Sequence, residues 1–277
     1  MMIVSTLEEL RSARPLLDGP VGLVPTMGYL HEGHLSLLRR AKAECRSTAV
    51  SIFVNPTQFG PNEDLSKYPR DLERDLHLLE AEDADLVWTP APEAMYPTGY
   101  QTWVEVQEMT RPLEGAQRPG HFRGVTTVVA KMFNAVQPAK AYFGQKDAQQ
   151  AAVIRQMTGD LNFPIEIVVC PIVREPDGLA LSSRNVYLDP GQRKAATVLY
   201  RALTAAKSAY DRGERDAKKL REIMKETLAS EPLARMQYVS CADYDSLQEL
   251  EAVTGKTLLS MAVFMGKTRL IDNLVLG

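Results

Sequence analysis

The chain has 277 residues, 45% of them hydrophobic and 24% charged, which suits a soluble globular protein of one large or two ordinary domains. A net charge of −3 argues against a dedicated nucleic-acid binder, which carries a basic excess, while leaving room for local basic patches. No apolar run approaches the length of a membrane span, and the opening MMIVSTLEELRSARP has early acids and no basic region before a long apolar core, so no signal peptide is expected.

The first informative stretch is Val21–Arg40, VGLVPTMGYLHEGHLSLLRR. Val21–Val24 has the composition of a buried parallel strand. Pro25–Leu30 breaks it with a Pro and a Gly. From His31 or Gly33 onward, Leu35, Leu37, Leu38 and Ala41 lie among Arg39, Arg40 and Lys42, as on a helix. The mouth of that helix is His31-Glu32-Gly33-His34. In a parallel α/β sheet, ligands bind outside the carboxyl ends of the strands. A helix N-terminus adds unbonded N–H groups and partial positive charge, which suit phosphate. Two imidazoles three residues apart share one face and can donate hydrogen bonds to anionic oxygens, and Gly33 between them lets a ring or phosphate approach the backbone. The pair also fits a surface feature or a partly buried structural pair. It is one residue short of the zinc-protease spacing H-E-x-x-H.

Ser47–Val54 reads as a second strand, rich in β-branched residues, that ends in the turn-rich loop Asn55–Asn62. Leu72–Ala81 has helical spacing, and Asp85–Trp88 is a third short strand before the Pro-rich Thr89–Pro97. This β-α-β-α-β order begins a doubly wound sheet. Gln101–Val106 alternates and reads as an extra strand. Met109–Arg123 holds Arg111, Arg118, His121 and Arg123 among Gly115, Pro119 and Gly120 and reads as a basic loop. Val125–Val136 is helical, Ala141–Phe143 is a short strand, and Gly144-Gln145-Lys146-Asp147 opens a helix over Ala148–Met157. Ile165–Val169 is a strand and Arg174–Asn185 a loop. Composition shifts near Leu188-Asp189-Pro190. Beyond it come two amphipathic helices, Gln192–Ala209 and Ala217–Leu228, and three strands, Met236–Ala242, Thr257–Phe264 and Lys267–Leu276. The expected fold class is α/β: a Rossmann-like doubly wound parallel sheet over residues 1–186, then a smaller α+β domain over residues 187–277. Cys45, Cys170 and Cys241 are far apart and odd in number, which fits reduced thiols in a cytosol. The single N-x-[ST] site, Asn55-Pro56-Thr57, is closed to glycosylation by its Pro.

Three further motifs bear on chemistry. Lys146 follows a strand and precedes a helix, where an ammonium can reach phosphate oxygens; Asp147 can hold Mg²⁺ through water, bond a ribose hydroxyl, or simply favour the helix dipole. Leu181-Ser182-Ser183-Arg184-Asn185 offers two hydroxyls and a guanidinium, able to grip a triphosphate or to form an ordinary turn. Asn55, Gln58 and Gln150 are neutral amides, which bind hydroxyls and a carboxylate without adding net charge. Gly255-Lys256-Thr257 and Gly266-Lys267-Thr268 look like the ends of phosphate loops but lack the required first Gly, since Leu250 and Met261 stand there; they read as hairpin turns.

Taken together, PTMGYLHEGH, FVNPTQFGPNEDLSKYPRD, RPGHFRGVTTVVAKMFN, FGQKDAQQ and IVREPDGLALSSRN, in that order, resemble the pantoate–β-alanine ligase (pantothenate synthetase) family of HxGH nucleotidyltransferases. The resemblance covers essentially the whole chain. It implies ATP-dependent, AMP-forming condensation of D-pantoate with β-alanine through pantoyl adenylate, with Mg²⁺, in the cytoplasm, by a homodimer with no nucleic-acid or membrane partner. It implies an ATP site of Met27, Gly28, Tyr29, Leu30, His31, Glu32, Gly33, His34, Gly144, Gln145, Lys146, Asp147, Val173, Leu181, Ser182, Ser183 and Arg184. His31, His34, Lys146 and Arg184 would act on the phosphates, with His34 as proton donor. Gln58 and Gln150, with Asn55, would hold pantoate, and Gln58 would lie near β-alanine. Arg118 and His121 would sit in a mobile basic loop, and the C-terminal domain would act as a lid. The resemblance assigns no Mg²⁺ ligand. Tyr29 stands where the family often has Ala, and Leu181 where it often has Met. Two rival expectations are a superfamily member that transfers AMP to a phosphate, which needs a cationic acceptor site, and a non-catalytic nucleotide sensor or RNA-binding relative.

Overall fold

The structure, a computed structural model, describes residues 1–61 and 63–277. Asn62, the last residue of the loop read after the second strand, lies outside the described residues. The chain forms two compact units, one of residues 1–145 and 149–171, the other of residues 146–148 and 172–277.

The first unit is built from β1 (Met2–Val4), α1 (Leu7–Ala13), β2 (Val21–Thr26), α2 (Glu32–Glu44), β3 (Ser47–Ile52), α3 (Leu72–Ala81), β4 (Leu86–Trp88), α4 (Pro92–Met95), α5 (Glu114–Gln117), α6 (His121–Val136), β5 (Lys140–Gly144), α7 (Ala148–Asp160) and β6 (Glu166–Cys170). Its six strands are parallel, in the order β1-β4-β3-β2-β5-β6. Leu23 of β2 pairs with Ala49 on one side and Ala141 on the other. The order of strands reverses between β2 and β5, so the carboxyl ends of those two strands flank the topological switch point where such sheets bind ligands. Both faces are covered. Leu23, Ala49 and Leu86 pack with Phe133, Val129 and Ile154 on one face. Val24, Val50 and Val87 pack with Leu38, Leu35 and Leu79 on the other. Burial on both faces is why the strands read as unbroken apolar runs.

Three expectations change in this unit. The three-residue β1, paired parallel to β4, is too short to register as a run. Gln101–Val106 is extended but joins no sheet: Val104 donates its N–H to Thr127 Oγ1 at 3.0 Å, and its carbonyl accepts from Thr126 Oγ1 at 2.6 Å. Hydroxyls of α6 take the groups a neighbouring strand would use, and the alternation reflects Val104 and Val106 packing onto the core. Met109–Arg123 is not all loop; it contains α5 and the first turn of α6.

The second unit has an antiparallel sheet, β7-β8-β9 (Ala234–Asp243, Thr257–Met265, Thr268–Leu276), with helices α8 (Pro190–Ala195), α9 (Val198–Asp211) and α10 (Ala217–Ala229). Gly266-Lys267 is a two-residue hairpin with Met265 opposite Thr268, whereas Gly255-Lys256 is a bend entering β8. The helix expected over Gln192–Ala209 is two helices. Asp189 caps α8 with Pro190 in its first turn. Ala195, Ala196, Val198 and Leu199 are all buried in one core. The chain leaves helical hydrogen bonding at Ala196-Thr197, between the end of α8 at Ala195 and the start of α9 at Val198.

Gly124 shows how closely α6 is seated. A Cβ there would lie 2.5 Å from the Thr57 carbonyl oxygen and 2.8 Å from Gln58 Cα. Gly124→Ala is therefore expected to lower the stability of the first unit by about 1–3 kcal/mol through forced displacement of backbone. The urea midpoint followed by circular dichroism reads this directly, and an unshifted midpoint would contradict the close contact.

Candidate active site

The carboxyl edge of the parallel sheet carries the first cluster. Thr26, at the end of β2, donates its hydroxyl to the Ser51 carbonyl at 2.8 Å and accepts from Gly28 N at 3.2 Å. The chain then turns through left-handed conformations at Gly28 (φ +80°) and Tyr29 (φ +49°). A Cβ at position 28 would also come within 3.1 Å of Asp75 Oδ2. Asp75 projects from α3 and is 1% exposed. Its two carboxylate oxygens accept from Tyr29 N at 2.6 Å and from Leu30 N at 2.7 Å. Burial pushes this carboxyl above its ordinary pKa, opposed by the Leu30 and Tyr29 N–H groups and by Arg74. Arg74 lies 3.5 Å from Asp75, donates to the Leu30 carbonyl at 3.0 Å, and covers the Tyr29 ring at 5.3 Å from its centroid.

That turn delivers His31 as the N-cap of α2. His31 Nδ1 accepts from Gly33 N at 3.1 Å, and His34 Nδ1 accepts from His31 N at 3.3 Å. The ring centroids are 4.0 Å apart. An imidazole whose Nδ1 accepts carries its proton on Nε2 when neutral. Each ring is thus set as an Nε2–H donor at the positive end of a helix. The Glu32 side chain pairs with Arg39 along the helix surface.

A second group follows β3. Asn55 Oδ1 accepts from Thr57 N, and Asn55 Nδ2 donates to Gln58 Oε1 at 3.0 Å and to the Gly124 carbonyl at 3.1 Å. Gln58 Nε2 meets Met27 Sδ at 3.2 Å. Three residues from two separate motifs thereby form one contact chain, buried at Asn55 and Gln58 and half-buried at Met27. The Gln58 carbonyl accepts His121 Nδ1–H at 2.9 Å, and His121 Nε2 accepts from Arg118 at 3.0 Å. Arg118 also grips Glu63 with two bonds of 2.7 Å each. Gly144 ends β5 and Gln145 follows it. Gln150 is half-buried in the first turn of α7.

The other candidates lie in the second unit. Lys146 Nζ is 3.7 Å from Asp147 Oδ1, and the Lys146 carbonyl accepts from Asn273 Nδ2 at 2.9 Å. Leu181 N donates to the Val173 carbonyl at 3.0 Å. Ser182 Oγ accepts from Arg184 N at 3.2 Å, capping the short 3-10 turn Ser183–Tyr187 in which Ser183 is buried. Arg174, next to Val173, holds Asp272 through bonds of 2.7 and 2.9 Å and stacks on Tyr200. Burial raises the Asp272 carboxyl, and the Arg174 guanidinium opposes the shift.

Sequence reasoning missed Asp75, Arg74, Glu63 and Gln149. Gln149 accepts from Glu114 N and donates to the carbonyls of Met109 and Pro112, each at 2.9 Å, so it fixes the 109–114 segment. Asp75 had a readable signal: it falls on the Leu72, Leu76, Leu79 stripe of α3, where an acid is out of place unless bonded. Among the described residues no three His, Cys, Asp or Glu side chains gather as a metal cage, and no helix is long and apolar enough to cross a membrane.

His121 yields a pH prediction. Desolvation, then the charge of Arg118, lowers it from the ordinary 6.5 to about 4. The unfolded chain therefore takes up this proton first on acidification. The stability His121 contributes is complete above pH 6.5 and is lost as pH falls toward 4. Its share of the slope is at most about 1.4 kcal/mol per pH unit. His121→Gln is expected to flatten the urea midpoint between those pH values relative to the wild type; equal slopes would overturn the assignment.

Residues 2–275 match the family model for pantoate-beta-alanine ligase. The chain is 63% identical over 276 residues to the pantothenate synthetase of Roseiflexus sp. strain RS-1, covering 100% of this chain and 99% of that protein. It is 61% identical over 277 residues to that of Herpetosiphon aurantiacus, covering 100% of both. The crystal structure of pantothenate synthetase from Thermus thermophilus is similar with a TM-score of 0.95 at 49% identity, over 99% of each chain. The Francisella tularensis pantoate-beta-alanine ligase, complexed with beta-gamma ATP and beta-alanine, is similar with a TM-score of 0.81 at 36% identity, over 99% of this chain and 97% of that one. The chain belongs to the pantoate–β-alanine ligase family.

Proposed function

We propose that this chain joins D-pantoate to β-alanine with ATP, forming pantothenate, AMP and pyrophosphate through pantoyl adenylate. Family membership supports the reaction class. The observation that carries the chemistry is the histidine pair at α2, with both Nδ1 atoms bonded to backbone N–H groups.

A carboxylate is a poor electrophile toward an amine. Attack of the pantoate carboxylate on the α-phosphorus forms a mixed anhydride and expels pyrophosphate. Negative charge grows on the phosphoryl oxygens and the leaving group. Pre-set donors lower that barrier because they do not reorganise during the step. In this proposal His31 and His34 supply Nε2–H donors, and Lys146, Ser182, Ser183 and Arg184 supply further donors and positive charge. His34 gives up a proton only by drawing on Nε2, because its Nδ1 is already an acceptor. The turn 27–30, Gly33, Gly144, Gln145, Asp147, Val173 and Leu181 complete the ATP site, and residues 187–277 act as a lid. Asn55, Gln58 and Gln150 hold pantoate. The β-alanine amine then attacks the acyl carbon and AMP departs, with no covalent enzyme intermediate.

Mg²⁺ enters as part of the substrate Mg-ATP, since the described residues offer no cage and this ion keeps several waters. Asp147, beside Lys146, is the acid we assign to its hydration shell. All three cysteines are free and buried, which suits the cytoplasm. The homodimer carried by the resemblance is read by sedimentation.

The test is pyrophosphate release from Mg-ATP with β-alanine withheld. Release should require D-pantoate, and AMP and pantothenate should follow when β-alanine is added. Pantoate-independent behaviour in a folded, ATP-binding sample would refute the ligase and favour AMP transfer to another acceptor. Asp75→Asn gives a second prediction. One amide oxygen cannot accept from both Tyr29 N and Leu30 N in the carboxylate's way. The histidine turn loosens, and pantoate-dependent release should fall by about a hundredfold. A folded Asp75→Asn variant of normal rate would contradict this positioning role.

A further inference from the structure

A cleft of about 510 Å³ lies in the first unit, between α1, the end of β4, α4 and the C-terminal half of α6. No residue proposed for ATP or pantoate lines it. Its floor is apolar, made by Leu7, Met95 and the indole of Trp88. Its rim is cationic: Arg11 and Arg14 from α1 and the turn that follows it, and Lys131 from α6. No Asp or Glu among the described residues lines it.

The three cations are committed to different degrees. Arg14 donates Nε to the Val136 carbonyl at 2.6 Å and a terminal nitrogen to that of Gln137 at 3.1 Å, closing the end of α6. Lys131 lies over the rings of Tyr100 and Tyr96, at 4.7 and 5.9 Å from their centroids. Burial draws its pKa below the ordinary value, a direction that an adjacent anion reverses. Among the described residues, neither Arg11 nor Lys131 has a carboxylate partner. Trp88 is 2% exposed, and its indole N–H has no acceptor among the described residues. Buried donors in native proteins are nearly always bonded. The volume falls in the usual range for small-molecule sites, about 300–1,000 Å³. A bare inorganic anion would leave the floor unused, and a neutral apolar molecule would leave the cations unmatched.

We propose that this cleft is a second binding site, for a small organic anion with a carboxylate or phosphate on a flat apolar body. The oxyanion sits between Arg11 and Lys131, and the body lies against Trp88, Met95 and Leu7.

The sequence contains only two tryptophans. Trp103→Phe therefore leaves Trp88 as the single indole reporter in the full chain. Phenyl phosphate is the probe, with inorganic phosphate and benzyl alcohol as its two halves. Phenyl phosphate should change Trp88 emission saturably, with half-saturation near or below about 1 mM. Each half should bind at least about tenfold more weakly, and Arg11→Ala, at an exposed position, should weaken the probe by about tenfold. Saturating Mg-ATP should not displace it. Absence of a saturable change, displacement by Mg-ATP, or equal binding to the Arg11→Ala and Lys131→Gln variants would overturn the proposal.

Discussion

The first unit depends on one buried carboxylate. Asp75 supplies acceptors to two consecutive N–H groups in a turn whose backbone is left-handed at both Gly28 and Tyr29. Such a turn points its N–H groups inward, where water cannot satisfy them, and an unmade buried hydrogen bond costs about 1–3 kcal/mol. An isolated buried carboxylate would cost far more. The two defects offset one another in part, with burial still holding the carboxyl above its ordinary pKa, and Arg74 completes the arrangement by taking the Leu30 carbonyl and facing the carboxylate. The result is a rigid exit from β2 that fixes where α2 starts.

Everything at the mouth of α2 follows from that exit. A helix begins with orphan N–H groups, usually capped by Ser, Thr, Asp or Asn. Here the cap is reciprocal between two imidazoles. Protonating either Nδ1 would break a cap bond and place positive charge at the positive end of a dipole. With both Nδ1 atoms accepting, each ring presents its Nε2 for donation. His121 is held neutral by burial beside Arg118. Fixed positive charge is left to Lys146 and Arg184 in the proposed chemistry.

Much of this was legible in the sequence because local signals agreed. The apolar runs of β2 and β3, the Pro and Gly that end them, and the amphipathic α2 and α3 all point to one sheet edge. What was not legible depends on pairs distant in sequence. Asp75 matters because of Tyr29 and Leu30, 46 and 45 residues away. Gln101–Val106 alternates as a strand would, yet its hydrogen bonds go to hydroxyls of α6. The break at Ala196 falls inside a run whose burial keeps helical spacing on both sides, so period alone does not reveal it. A pattern gives the face a residue wants; it does not give the partner that satisfies it.

The amide cluster separates the two enzymatic readings most sharply. Asn55 and Gln58 are buried, bonded to each other, and tied to Gly124 and Met27. The guanidinium beside them, Arg118, is already occupied twice by Glu63 and once by His121. An acceptor site for a phosphate needs uncommitted positive charge, since burying a dianion against neutral amides leaves most of its desolvation uncompensated. A hydroxy acid presents one carboxylate, which must itself stay nucleophilic. Asn55 spends both its N–H groups on Gln58 and Gly124 and so positions Gln58, whose second Nε2–H is the neutral donor left to orient such a carboxylate without drawing off the charge it needs to attack phosphorus; a tight ion pair would lower its reactivity. A cluster of amides next to committed cations is therefore the polarity expected of a site that activates a carboxylate.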